Sequence, residues 1–495
     1  MGIKICFLLL ILCYTNLVSG NNVVLIVVDD LDIELDGMVP LTQTKQLIID
    51  EGTAYINNYA AVPICCPNRA SILTGRYQHN HEVFNNSISG GCYSQEWQNG
   101  PEKYTFAVHL NNKKGYRTFY AGKYLNQYGL HASDELKKPP GWDHWYALVG
   151  NSKYYNYSLS VNGTKVKHGF EPEDYLTDVI KQYAIDFIDT QSKNTPFLMV
   201  LAPPAAHSPF TPAARHNDKY QNIQAKRTSS FNNLQNRDKH WLVKMDPIPM
   251  PENLLPKLDK VYRKRWETLL AVDEMIATVY NALQSKNLLD STYIIFTSDN
   301  GYHVGQFAMP LDKRQPYETD VHIPLYIRGP KIDKLSTVVA PVSSVDIFST
   351  ILDIAGLKYF SDGISMLNNN LTTDRTLLIE YKGENSGGYH DVKCPNSNDP
   401  HLAECSEEFA CKCQDSTNNT YNCIRRISKV YNNVFCIFND NQSYIEYYNI
   451  TQDPEQLTNL GYTMKSGKRH KFRKRLKKLL ECKDETCIFI GAKES

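Results

Sequence analysis

The sequence predicts an α/β protein: a large, mostly parallel sheet with helices on both faces, then a smaller C-terminal α+β unit containing an antiparallel sheet. Three observations predict this. Apolar runs rich in β-branched residues, at 23–28, in PFLMVLA from Pro196 and at 293–296, are patterned as strands buried on both faces. Segments of helical periodicity alternate with them. After about residue 360 the alternation gives way to closely spaced strand-like runs separated by polar turns. The 495-residue length is too great for one small core and suggests two packed units, at 21–365 and 366–495.

Residues 1–20 read as a secretory signal, with Lys4, an apolar run over 7–12 and the small pair Ser19-Gly20. The run is too short to span a bilayer, and no later segment of about 20 apolar residues follows, so no transmembrane anchor is expected. The strand at 23–28 ends in Asp29-Asp30, and open α/β sheets place ligands at that end of a strand. A helix is expected over 42–51. Next comes VPICCPNRASILTGRYQHNH, 62–81, with Cys65, Pro67 and Arg69 spaced C-x-P-x-R ahead of LTGR. Pro67 suits the first turn of a helix. That turn puts Cys65 at the helix N-terminus, where free N–H groups and the macrodipole favour an anion, and Arg69 adds a permanent charge. The bland alternative for the CC pair is a core helix.

Residues 115–121 alternate as a strand ending at Gly122-Lys123. The Tyr-, Asn- and Ser-rich stretch 142–167 reads as loop and hairpin at a pocket mouth. An amphipathic helix covers 173–189, and the PFLMVLA strand leads into a Pro-rich loop presenting His207. Residues 215–260 read as a polar surface excursion and 263–283 as a second long helix. The strand at 293–296 delivers Asp299-Asn300-Gly301. A strand over 322–330 and a helix over 344–356 with Gly356 as its stop complete the first unit. Strand-like runs at 376–381, 427–432, 434–439 and 443–449 make the second. The chain closes on KSGKRHKFRKRLKKLLE, an amphipathic helix with Phe472, Leu476, Leu479 and Leu480 on one face. Its charged exterior is either a solvated face or a dock for a sulfated polyanion.

Asp29, Asp30, Asp299 and Asn300 are hard oxygen donors and match a calcium or magnesium site rather than zinc. Lys+Arg and Asp+Glu are equal at 53 each, so net charge selects no partner class, and no nucleic-acid partner is expected.

The Cys65 stretch resembles the signature of the type I sulfatases, members of the alkaline-phosphatase-like fold. AGKY at Lys123, TSDNGYHVGQF and LDKRQPYETD resemble further segments of that family. The resemblance implies that a formylglycine-generating enzyme oxidises Cys65 to formylglycine. Ca²⁺ would then sit among Asp29, Asp30, Asp299, Asn300 and residue 65. One hydroxyl of the hydrated aldehyde would attack sulfur, His207 or Lys313 would protonate the leaving alcohol, and the second hydroxyl would expel sulfate. Arg69, Lys123 and Lys313 would stabilise charge. Many members carry a His two residues after the lysine. Here that position is Leu125, and His303 is the expected substitute.

Resemblance over most of the mature chain narrows to the branch that removes 6-sulfates from N-acetylglucosamine in heparan or keratan sulfate. It implies a sulfated glycosaminoglycan or oligosaccharide substrate, exo attack and a lysosomal site, with secretion as the alternative. The extracellular heparan 6-O-endosulfatases are also similar, but their long basic insertion is absent. Arylsulfatase activity, a phosphatase or phosphodiesterase of the same fold, and a silent glycan-binding protein are the other readings. With Cys6 and Cys13 in the signal and Cys65 converted, ten cysteines remain, an even number suited to disulfides. Zinc ligation around 394–436 is the rival, weakened because CKC lacks the usual two-residue gap. N-x-S/T triplets mark Asn85, Asn156, Asn162, Asn370, Asn418, Asn441 and Asn449 as glycosylation acceptors.

Overall fold

A computed structural model describes residues 20–130, 135–233, 238–367, 371–384, 394 and 401–492. Residues 1–19 of the expected signal and the acceptor Asn370 lie outside the described residues.

The organising strand is Asn22–Val28, whose seven residues are all buried. Val23, Leu25 and Val27 face one half of the core and Val24, Ile26 and Val28 the other, the two-residue period of a strand covered on both sides. Each such side chain contributes about 1.5–3 kcal/mol on burial. The strand pairs in parallel with Thr292–Ser298 on one side and Phe197–Ala202 on the other. Arg117–Gly122 and then His144–Leu148 extend the sheet, still in parallel. The hairpin Ser158–Val161 and Thr164–Lys167 closes that edge. Beyond Thr292–Ser298 the order continues through Leu325–Arg328, Thr53–Tyr55 and Ser336–Val338, making ten strands. Leu325–Arg328 runs antiparallel to both its neighbours.

The helices Cys65–Thr74, Phe106–Lys114 and Val345–Ile354 cover one face, and Leu176–Asp189 and the 31-residue Leu255–Ser285 cover the other. The Cys65–Thr74 helix ends at Gly75, whose φ of +67° needs no Cβ. A Cβ there would also lie 2.7 Å from the Phe348 ring.

The second sheet is antiparallel, ordered Arg375–Tyr381, Tyr421–Ile427, Asn432–Phe438, Ile445–Asn449. It shares a core with Tyr59, Val62, Ile64 and Tyr317 of the first unit. Cys66–Cys92, Cys394–Cys413, Cys405–Cys411, Cys423–Cys436 and Cys482–Cys487 form disulfides, so all ten expected cysteines pair, and among the described residues Cys65 alone is free.

Three expectations need correction. ISKVYN is not a strand: Ser428, Lys429 and Val430 form the turn, and the strand lies upstream at Tyr421–Ile427. The stretch 142–167 holds a sheet strand, His144–Leu148, as well as the hairpin. Residues 215–260 are not a surface excursion throughout, since Lys239, His240, Leu242 and Val243 are buried. The Lys239 ammonium sits 4.2 Å from the Phe307 and Tyr317 rings and 4.3 Å from Tyr448. Cation–π contact substitutes there for water. The following helix starts at Leu255 rather than 263 because Pro256 opens its first turn.

The two units are also joined by a buried ion pair. Arg425 Nε donates to Glu318 Oε1 (3.0 Å), and its Nη2 donates to the Tyr59 hydroxyl (2.8 Å). Glu318→Ala would strand the guanidinium, a loss of about 3–5 kcal/mol. Thermal denaturation should show a clear fall in Tm, with Glu318→Ala/Arg425→Met less affected than the single variant. An unchanged Tm would mean that this pair does not hold the units together.

Candidate active site

The parallel register Val28↔Ser298 makes two strands end side by side, so Asp29-Asp30 and Asp299-Asn300 emerge at the same edge. Asp30 turns there with φ +60°, a conformation Asp tolerates better than most residues. Its N–H donates to Asp299 Oδ1 at 3.0 Å, and Asn300 Nδ2 donates to Asp30 Oδ1 at 2.7 Å. At the end of the Arg117–Gly122 strand, Gly122 has φ +109°. A Cβ on it would fall 2.0 Å from the Ala202 carbonyl oxygen, so only glycine lets the chain turn and deliver Lys123. Lys123 Nζ lies 2.9 and 2.8 Å from the two oxygens of Asp29. Lys313 Nζ mirrors it on Asp30 at 2.7 and 2.8 Å.

The Cys65–Thr74 helix points its N-terminus at this edge. Asn68 anchors it: Oδ1 accepts from the Ala61 N–H, and Nδ2 donates to the Asp299 carbonyl and to Ser344 Oγ. Arg69 donates through Nε to Asp299 Oδ2 (2.7 Å) and through Nη1 to the Lys123 carbonyl (2.7 Å). Its Nη2 is buried without a hydrogen-bond partner among the described residues, 3.7 Å from Asp29. Cys65 Sγ lies 3.7 Å from Asp29 Oδ1 and 3.8 Å from Asp30 Oδ1. From the loop after Phe197–Ala202, His207 brings Nε2 to 3.8 Å from Asp30 Oδ2. Its Nδ1 is 2.6 Å from the Ser208 carbonyl, which can only accept, so Nδ1 carries a proton and Nε2 is left for exchange.

Burial is the largest single influence on these groups, and at Asp29 and Asp30 the neighbouring cations together outweigh it. It works to raise Asp29, but Lys123, His207, Arg69 and Lys313 hold that carboxyl well below its usual range. Asp30 is lowered too, with burial opposed chiefly by Lys313. Asp299, buried and beside Asp29 and Asp30, is pushed up to about 6 despite Arg69. Burial pushes the Cys65 thiol up to about 12, so an unmodified sulfur here stays protonated and is a poor nucleophile. Burial also lowers His207, and Lys313 and Lys123 oppose its charging further.

The donors fit a hard divalent cation. Atoms of Asp29, Asp30, Cys65 and His207 all lie within 4.8 Å of one another. Among the described residues Asn300 Oδ1 is buried with no hydrogen-bond partner, although its own Nδ2 is fully engaged. An orphaned amide oxygen beside carboxylates is what oxygen-preferring ions take.

A cavity of about 430 Å³ opens at the cluster, lined by Asp30, His207 and Lys313 together with Asn85, Asn126, Asn151, Arg314, Glu384 and Glu404. Amides and carboxylates make up most of this lining, with Arg314 and Lys313 as its cations, a mixture that suits a polyhydroxylated ligand carrying negative charge.

Of the residues singled out from sequence, Cys65, Arg69, Lys123, His207, Lys313, Asp29, Asp30, Asp299 and Asn300 are brought together here. His303 is not. It is fully buried, with Nδ1 3.0 Å from Asp320 and Nε2 3.2 Å from Gln414, so neither nitrogen is available to a ligand. Asn85 is buried as well, its Oδ1 accepting from the N–H and hydroxyl of Ser87, a poor position for a glycan acceptor. Asn156, Asn162 and Asn441 are exposed, and Asn418 and Asn449 are half-buried.

Sequence reasoning missed Ser152, which donates to Asp29 Oδ2 at 2.6 Å. It also missed Arg265, which supports the turn from the long helix through the Asp30 carbonyl (2.8 Å) and Asp32 (2.8 Å). Neither belongs to a spacing that marks it. Arg314, adjacent to Lys313, could have been found.

A family model described as Sulfatase matches residues 21–357. N-acetylglucosamine-6-sulfatase of Homo sapiens is 44% identical over 480 residues, 95% of this chain and 86% of that protein. A putative extracellular sulfatase Sulf-1 homolog of Caenorhabditis elegans is 42% identical over 343 residues, 68% of this chain and 47% of that protein. A solved structure in complex with its substrate D-glucosamine-2-N,6-O-disulfate aligns with a TM-score of 0.67 and 23% identity, covering 93% of this chain and 97% of that one. At that identity the likeness speaks for the fold alone.

If the oxygen cluster holds a cation, Ca²⁺ or Mg²⁺ added to chelator-treated protein should raise Tm, by the equivalent of about 2.7 kcal/mol at a hundredfold excess over Kd. Asn300→Ala should weaken that response. A Tm indifferent to both ions would show that the cluster binds neither.

Proposed function

Because the chain belongs to the sulfatase family and is a sulfuric ester hydrolase, we propose that it removes the 6-sulfate of N-acetylglucosamine units in heparan or keratan sulfate. We propose further that it does so with Cys65 as formylglycine and with bound Ca²⁺. The observation that carries the choice of substrate is the 44% identity, over 95% of the chain, to a relative named for that reaction.

Asp29, Asp30, Asp299 and Asn300, with residue 65, would hold the cation, which would supply charge neutralisation at the ester oxygens. Formylglycine would supply a hydrated aldehyde, with one hydroxyl to attack sulfur and a second to release sulfate. Burial pushes the parent thiol up, so an unconverted cysteine at this position would be a weak nucleophile.

The remaining work falls to side chains already in place. Lys123 and Lys313 present ammonium groups, and Arg69 an unbonded Nη2, to the space next to residue 65. They would bind the sulfate oxygens and the charge that develops on them. His207 would pass the Nε2 proton to the departing sugar oxygen. Since its surroundings lower its pKa, an acidic compartment such as the lysosome suits that role better than a neutral one. Secretion is the alternative destination. The expected signal supports entry to the secretory pathway, and none of the described helices is long and apolar enough to cross a membrane.

An endosulfatase reading draws on the Caenorhabditis elegans relative, but this chain spans about half of that protein. A phosphatase with two zinc ions would call for several histidine ligands. Among the described residues the cluster has one, His207.

The direct test compares N-acetylglucosamine 6-sulfate with its 6-phosphate. The sulfate should be favoured in kcat/KM by about tenfold or more, roughly 1.4 kcal/mol of transition-state preference. Equal or faster phosphate release would favour the phosphatase reading. Lys123→Ala should lower kcat on the sulfate by about 10²–10³.

A further inference from the structure

The helix Ser466–Leu480 is anchored by Phe472, Leu476 and Leu479, with the Phe472 ring stacked 5.1 Å from Phe435 of the small sheet. Its outer faces expose Lys468, His470, Lys471, Arg473, Lys474, Lys477 and Lys478. No acidic residue lies within it, and Glu481, 3.9 Å from Lys477, is the first. Such a helix works against its own stability. Lys471 faces Lys468 and Lys474 at i,i+3, and Lys474 faces Lys478 at i,i+4, pairs of like charge that are destabilising. Lys468 and Arg469 stand in the first turns, where the dipole disfavours cations, and the N-cap Lys465 makes no side-chain cap. Lys468 serves the fold, its Nζ donating to the Tyr447 hydroxyl (2.7 Å), but burial of Phe472, Leu476 and Leu479 does not require the charge on Lys471, Lys474 or Lys478.

Beside the helix lies a groove of about 540 Å³ lined by Arg426, Tyr431, Lys465, Lys468, Lys471 and Arg475. Tyr431 is 38% exposed and stacks under the Arg426 guanidinium at 3.8 Å. The groove is remote from the cavity. Glu384 follows the end of the sheet where Tyr381 pairs with Tyr421, whereas Arg426 pairs with Thr376 at the other end. Five residues of strand separate the two, on the order of 16 Å at about 3.3 Å each. A ligand must be extended to touch both places, and one bound in the groove leaves the cavity open.

We propose that this groove and the basic helix face form an anchoring site for a sulfated polysaccharide, holding the polymer while its terminal sugar is processed in the cavity. The aromatic floor between cations offers a surface for a sugar ring, and the cations offer a salt-sensitive attraction for its sulfates. The choice of a sulfated glycan over other polyanions rests on the sulfatase reading above.

The test uses the full-length protein and Lys465→Glu/Lys471→Glu/Lys474→Glu, three exposed positions away from the cavity. On immobilised heparin the variant should elute at clearly lower NaCl than the wild type. With heparan sulfate oligosaccharides its KM should rise about tenfold with kcat retained, and N-acetylglucosamine 6-sulfate should be hydrolysed as before. The corresponding triple Lys→Arg variant should behave as wild type. Unchanged elution and unchanged polymer KM would overturn the proposal, as would equal losses on polymer and monosaccharide. Tighter binding to phosphatidylserine vesicles than to heparin would assign the face to a membrane surface and also overturn it. Failure of the sulfatase reading would appear separately, as no turnover of the monosaccharide by wild type, while heparin elution would still test the groove.

Discussion

Asp29, Asp30 and Asp299 are ionisable side chains with almost no access to water, held at the ends of two adjacent parallel strands. Burial of carboxylates is tolerated only where opposite charge or strong donors compensate. Here Lys123 covers Asp29, Lys313 covers Asp30 and Arg69 covers Asp299, and each cation comes from a different segment of the chain. The strand order, the turn at Gly122, the helix beginning at Cys65 and the loop carrying His207 all serve to bring those charges within contact. Removing any one partner would leave a buried charge unmatched, so architecture and site are one electrostatic problem.

The solution also explains what position 65 can do. A thiol surrounded by carboxylates and sealed from water is held protonated, and the lysines only partly offset that. The surroundings suit an oxygen-rich group next to a cation better than a thiolate. The same lysines and Arg69 that balance the carboxylates already face the space in which an anionic ester would lie.

Much of this was legible because strand ends advertise themselves. The β-branched runs ending in Asp29-Asp30 and Asp299-Asn300 located two ligand pairs, and C-x-P-x-R located the helix that faces them. What was not legible depends on long-range packing. His303 is four residues from Asp299, yet it lies in a short strand that turns it toward Asp320 and Gln414. Linear proximity to a ligand was a poor guide to direction. Ser152 and Arg265 reach the site from an irregular loop and a long helix, neither with a distinguishing pattern. The buried stretch around Lys239 reads as surface because its polar residues are satisfied by aromatic rings and by the second sheet. The turn at 428–430 was mistaken for strand because Val430 and Tyr431 carry β-propensity while exposed at its tip.

The chemistry proposed for this cavity turns on the chemical state of residue 65. Mass spectrometry of the peptide containing that position, from active protein purified out of a secretory host, would read it. Formylglycine in place of cysteine is the predicted result. Full activity with an intact thiol at position 65 would contradict the account, because the nucleophile would then have to be found elsewhere in the cavity.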